Sequence, residues 1–178
     1  MKNFISKYLK TYRLANDQNF QGTFDLGTKY RHNKVHINVN EKSFIEINKG
    51  TKRFEVINFC LEHLDRNTTY LEIGVRFPED NFNRVKANSK YSVDPGIENK
   101  SNPVDFKLTS DDFFSKLRNG ELLSKEIKFD VIFIDGLHLA NQVEKDIANS
   151  LDFIKDDGFI ILHDCNPPSE YHAREEFE

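Results

Sequence analysis

Tryptophan is absent from this 178-residue chain, methionine occurs once and cysteine twice. The cysteines, Cys60 and Cys165, stand in no paired spacing, which excludes a disulfide framework and a zinc-ligand pattern. Cys60 falls at helical spacing among apolar residues and reads as a core thiol. No apolar run is long enough to span a membrane. The first ten residues are broken by Lys2, Lys7 and Lys10, so they lack the apolar centre of a secretory signal, and the expected location is the cytoplasm. Neither charge dominates. Lys and Arg number 25 against 29 Asp and Glu, for a net charge of −4. A nucleic-acid partner held by bulk charge is therefore not expected. Glycine is sparse, and the Gly-x-Gly-x-x-Gly fingerprint of a dinucleotide site is missing. Repeats and low-complexity tracts are lacking too.

What remains suits a globular chain, with 38% hydrophobic and 30% charged residues. Its organising stretch is Thr69-Tyr70-Leu71-Glu72-Ile73-Gly74-Val75, a strand-length apolar run holding one acid and ending at a glycine. Buried, Glu72 needs a partner. Gly74 permits a tight turn and a close approach to the backbone.

Around this strand, elements alternate. Residues 3–13 read as an amphipathic helix, 14–32 as loop, and Val35, Ile37 and Val39 as part of a hairpin or covering flap. Thr51 is a candidate cap for a helix carrying Phe54, Ile57, Leu61 and Leu64. Pro78 opens a second helix, with Glu79 and Asp80 in its first turn. Tyr91–Asp94 and Asp105–Leu108 read as strands. Thr109 or Ser110 caps a helix that Asn119-Gly120 ends. Asp130–Ile134 is a continuous apolar run, the mark of a strand covered on both faces. A further helix places Val143, Ile147, Leu151 and Ile154 on one stripe and stops at Asp157-Gly158, before a last strand, Phe159–Leu162. Strands alternating with helices predict a Rossmann-like, doubly wound, mainly parallel sheet of about five strands. The expected organisation is an N-terminal helix and cover segment over 1–50 and a catalytic domain over 51–178.

Acids fall at the strand ends: Glu72, Asp94, Asp135 and Asp164. A parallel sheet opens all its strand carboxyl ends on one edge, so these four, with His138 and His163, are predicted to line one cleft. Any one of them alone could be a helix cap or turn former. Asp94 lies about twenty residues beyond the glycine turn, where an acid accepts from a ribose diol. Bulky Arg76, Phe77 and Pro78 after Gly74 disfavour a pyrophosphate there, and with it a nicotinamide dehydrogenase.

Leu71-Glu72-Ile73-Gly74-Val75, Ser92-Val93-Asp94-Pro95, Ser110-Asp111-Asp112-Phe113-Phe114, Phe129 through His138, and Leu162-His163-Asp164 follow in order over residues 53–168. Together they resemble the class I S-adenosylmethionine-dependent methyltransferases, and most of all a small bacterial branch with an Ile-Asp-Gly-x-His segment and a later His-Asp pair. The resemblance implies methyl transfer from S-adenosylmethionine to a small-molecule acceptor, with oxygen as the expected acceptor atom. It implies Glu72 and Gly74 beside the methionine part of the cofactor, Asp94 on the ribose, and Asp111 or Asp112 near the adenine. It implies Asp135 facing methyl group and substrate, and His138 as general base, since histidine side chains titrate near neutral pH. Some related enzymes hold a divalent cation, which would here fall to Asp135 and Asp164 with His163, magnesium suiting carboxylate oxygens. The sequence departs from the family at the loop after Gly74, which lacks a second glycine. It also departs after the strand 159–162, where the usual C-terminal helix and strand pair are replaced by a short polar tail, Tyr171–Glu178. A bare apolar edge at 159–162 invites pairing, so a homodimer or a longer natural chain is expected. The alternative function is a non-catalytic nucleoside-binding or regulatory module of the same fold, which a turnover assay separates from an enzyme.

Overall fold

A computed structural model describes residues 34–48 and 50–165. The expected helix at 3–13, the loop at 14–32 and the tail at 171–178 lie outside them. Two compact units divide the chain. One includes helix α1 (Lys34–Ile47), and the other runs from Gly50 to Asn166. α1 corrects the expected hairpin. Three alternating residues are too few to mark a strand, and no glycine or proline interrupts the fourteen residues of the helix.

The second unit runs α2 (Arg53–His63), β1 (Thr69–Ile73), β2 (Ser89–Val93), α3 (Ser110–Asn119), β3 (Phe129–Ile134), α4 (Ala140–Leu151) and β4 (Ile154–Leu162). Among the described residues the strands form one parallel sheet in the order β2-β1-β3-β4. Four strands stand where about five were expected, because Asp105–Leu108 contributes only a single bridge, Val93 to Phe106. The Asp105 carboxylate accepts from both the Ser92 N–H (2.9 Å) and the Ser92 hydroxyl (2.7 Å), which ties the segment to β2 through a side chain instead of a ladder.

Alternation along the strands builds two cores. Leu71, Ile73, Ile132 and Ile134 face Phe113, Phe114 and Leu117 of α3. Tyr70, Val131 and Phe133 face Ile57 and Leu61 of α2. Burial on both faces is what the unbroken apolar run of β3 foretold.

Local chemistry explains the remaining differences. Lys52, not Thr51, takes the cap position of α2, where the Glu55 carboxylate accepts its N–H at 2.7 Å. Thr109 caps α3, accepting from the Asp112 N–H, and Gly120 closes it in the left-handed region. Pro78 opens no regular helix. Two 3-10 turns, Pro78–Asp80 and Phe82–Arg84, flank Asn81, whose φ of −141° breaks the helical path. Ile154 belongs to β4, and Asp157-Gly158 lie inside that strand instead of ending α4. Between the pairs Phe129–Ile154 and Val131–Phe159 the register slips, so extra residues bulge from β4. The bulge carries Lys155 to Asp130, Nζ to Oδ2 at 2.8 Å, and Asp157 to Arg66.

Candidate active site

The carboxyl ends of β1, β2 and β3 open on a cleft of about 730 Å³. Glu72, Gly74, Asp94, Asp111, Asp135, His138, His163 and Asp164 all line it. Asp112 does not. Its N–H and carboxylate both engage the Thr109 hydroxyl, so it belongs to the cap of α3.

Gly74 carries φ +88° at the end of β1. Its N–H donates to Val93 O (2.8 Å), and the Asp135 N–H donates to Ile73 O (2.8 Å), so β1 is tied to both neighbours at this point. A Cβ on residue 74 would meet Asp135 O at 2.1 Å. The close approach that demands glycine is therefore made by the protein's own β3 loop.

Glu72 shares the α2 face of β1 with Tyr70, two residues before it. It is almost fully buried. Its Oε2 accepts from the Tyr70 hydroxyl (2.7 Å) and from Asn81 Nδ2 (3.0 Å). Burial pushes this carboxyl up to about 7, against the pull of those two hydrogen bonds. The same burial, with Glu72 beside it, drives the Tyr70 phenol well above its ordinary value. Asn81 also lines the cleft, and its Oδ1 is buried without a partner among the described residues.

The raised carboxyl has a measurable consequence. From pH 4.5, the ordinary value, to about 7, the unfolded chain releases this proton while the folded chain keeps it. Stability therefore falls through that window and levels above it. Glu72→Gln keeps an acceptor for both donors and removes the titration. Urea unfolding should show a flatter pH profile, with the variant about 3 kcal/mol more stable at pH 8. Parallel profiles for the two proteins would show that Glu72 is not the group responsible.

Asp94 accepts the Gly96 N–H on Oδ1 (2.6 Å), a local turn that aims the carboxylate and leaves Oδ2 outside that bond. Gln142, at the start of α4, donates to Ser110 Oγ (3.3 Å), Asp111 Oδ1 (3.2 Å) and the buried Asp146 Oδ1 (3.1 Å). This bridge fixes Asp111 against α4.

Asp135 stands just past β3, its side chain 12% exposed. Arg53, the first residue of α2, reaches its Oδ2 at 2.5 Å. Its Oδ1 lies 2.9 Å from His163 Nδ1 and 3.5 Å from His138 Nε2. His163 Nδ1 also lies 3.2 Å from Asp164 Oδ1. Neither approach to Nδ1 has hydrogen-bond directionality among the described residues, and each becomes an ion pair when the imidazole is protonated. Asp135 is the main influence raising the His163 imidazole above its ordinary value, and burial opposes it. Asp164 sits in the left-handed region at φ +51° with its carboxylate mostly in solvent. Asp135, His138 and His163 bring three possible metal-ligand atoms within 4.8 Å of one another.

Sequence reasoning did not single out Arg53, Asn81 or Gln142. Arg53 is 82 positions from its partner, and no local spacing signals such a pair. Asn81 alone had a usable signal. It follows a proline turn shortly after a buried acid, where a donor was needed.

A family model described as a methyltransferase domain matches residues 54–165. No curated protein and no solved structure matches the chain.

Proposed function

The chain belongs to the methyltransferase domain family, and from that premise we propose that it transfers a methyl group from S-adenosylmethionine to a hydroxyl oxygen of a small molecule. The observation that carries this reading is that one cleft collects Asp94, just past β2, and Asp111, at the start of α3, together with a carboxylate flanked by two imidazoles, Asp135 with His138 and His163, just past β3.

The residues fit such a cofactor. Asn81 Oδ1 is a buried acceptor with no donor among the described residues, beside the Glu72 carboxyl. The lining acids, Glu72, Asp80, Asp94, Glu98, Asp111, Asp135 and Asp164, outnumber the lining arginines, Arg53 and Arg76. That balance favours a cationic ligand and repels a pyrophosphate. Asp94 Oδ2 would accept from the ribose hydroxyls, Asp111 from the adenine amine, and Glu72 with Asn81 from the amino acid part.

When bound, S-adenosylmethionine supplies an electrophilic methyl group on a sulfonium. The chain's part is to position the acceptor and take its proton. His138, half-exposed, would receive that proton at Nδ1, while Nε2, the nitrogen turned to Asp135 Oδ1, carries the ring's other proton. The carboxylate would stabilise the imidazolium formed.

Calorimetry with S-adenosylmethionine and its demethylated product tests the binding half. Asp94→Ala should weaken either ligand by roughly 1.5–3 kcal/mol, as for a hydrogen bond to a charged acceptor. Unchanged affinity would remove Asp94 from the site, and a wild-type chain that binds neither ligand would overturn the reading.

A further inference from the structure

Asp135 is already neutralised by a cation that the chain supplies itself. Its two oxygens are divided: Oδ2 is held by Arg53 Nη1 at 2.5 Å, and Oδ1 faces His163 and His138. Magnesium asks for a near-octahedral shell of oxygens. Around Asp135 the other donors in reach are imidazole nitrogens, and Asp164 turns its carboxylate to solvent. Magnesium therefore fits this site poorly, and any divalent cation on Asp135 would have to displace the guanidinium from Oδ2.

Arg53 is well placed to stay. It opens α2, which is anchored by the buried Ile57 and Leu61 against the sheet and by Glu55 at its cap. A guanidinium does not lose its proton in proteins, so its charge is permanent, like that of a metal ion. Only Nη1 is engaged among the described residues, and Arg53 lines the cleft with its side chain 37% exposed. Its other N–H groups remain as donors.

We propose that Arg53 is a built-in counter-ion that takes the place of a divalent cation at Asp135, excluding metal from the site and offering its remaining N–H donors to the acceptor oxygen. The second half rests on the methyl-transfer reading, because it needs an oxygen that gains negative charge as its proton leaves. The exclusion of metal does not.

The test is manganese binding by the full chain, followed by electron paramagnetic resonance of the free ion. The wild type should leave manganese unbound. Arg53→Gln removes the cation and leaves one carboxylate and two imidazoles, a set that suits a first-row transition metal. That variant should gain manganese affinity by about tenfold or more, and adding Asp135→Asn should abolish the gain. Arg53→Lys keeps a charge on Oδ2 and should exclude the metal as the wild type does, which a purely structural role for Arg53 would not predict. Manganese binding by the wild type that Asp135→Asn abolishes would overturn the proposal, as would an Arg53→Gln chain that folds and gains no affinity. Failure to bind S-adenosylmethionine would count against the methyl-transfer reading alone and leave the metal result standing.

Discussion

Gly74→Ala is expected to cost roughly 3–5 kcal/mol, the sum of a left-handed backbone imposed on alanine and overpacking against a neighbour that cannot give way. The methyl group would fall 2.1 Å from Asp135 O and 2.4 Å from its carbonyl carbon. Both are backbone atoms, held in place by the Asp135 N–H to Ile73 O bond. Relief requires prising the β1 and β3 loops apart, which moves Asp135 off Arg53 and away from His138. Loss of stability and loss of the site should therefore come together. Gly120→Ala is the control. Gly120 has φ +70°, but an added Cβ there meets nothing nearer than 3.8 Å. It should show only the backbone cost, about 1 kcal/mol. Equal urea midpoints for the two variants would mean that the Asp135 contact contributes nothing.

The second large effect lies at the opposite edge of the sheet. Asp130, the second residue of β3, has a side chain of zero exposure. It accepts from Arg66 Nε (2.8 Å), Lys155 Nζ (2.8 Å) and the Thr69 N–H (2.7 Å). Burial pushes its carboxyl up, but Lys155, the Thr69 N–H and Arg66 outweigh burial and hold it below the ordinary carboxylate value. The stability it contributes is thus present above its unfolded pKa of 3.8 and is lost as pH falls through the lower folded value. Asp130→Ala leaves Lys155 and a strand N–H without this acceptor and Arg66 with Asp157 alone, and should cost about 3 kcal/mol or more. Asp157→Ala removes the solvent-facing partner of the same Arg66 and should cost under about 1 kcal/mol. Chemical denaturation at pH 7 compares them. Similar losses from both would show that burial does not decide the strength of this network.

The parallel sheet was legible because its strands carry their own signal. Leu71, Ile73 and the run Val131–Ile134 are apolar at strand length, and the acids that end them fall where the sheet must open. One edge then collects Glu72, Asp94 and Asp135 without any knowledge of their contacts. What escaped was set by distant partners. The β4 bulge exists because Asp130 draws Lys155 and Arg66 draws Asp157, across 25 and 91 positions. The irregular turn at Asn81 follows from the hydrogen bond it gives a buried acid. Asp105 gave up a strand to bond Ser92. In each case a polar side chain overrode the local apolar pattern that sequence reading follows.

β3 holds one carboxylate at its entry and another just beyond its exit. Asp135 lies five positions beyond Asp130, a span of about 16 Å along an extended chain. At that distance substitutions with no shared partner combine almost additively. The strand therefore gives protein engineering two separate handles. A stabilising change around Arg66 or Lys155 can offset a harmful substitution beside Asp135 without altering which molecule the cleft accepts. Rebuilding the cleft for a different acceptor would draw on that reserve at the far end.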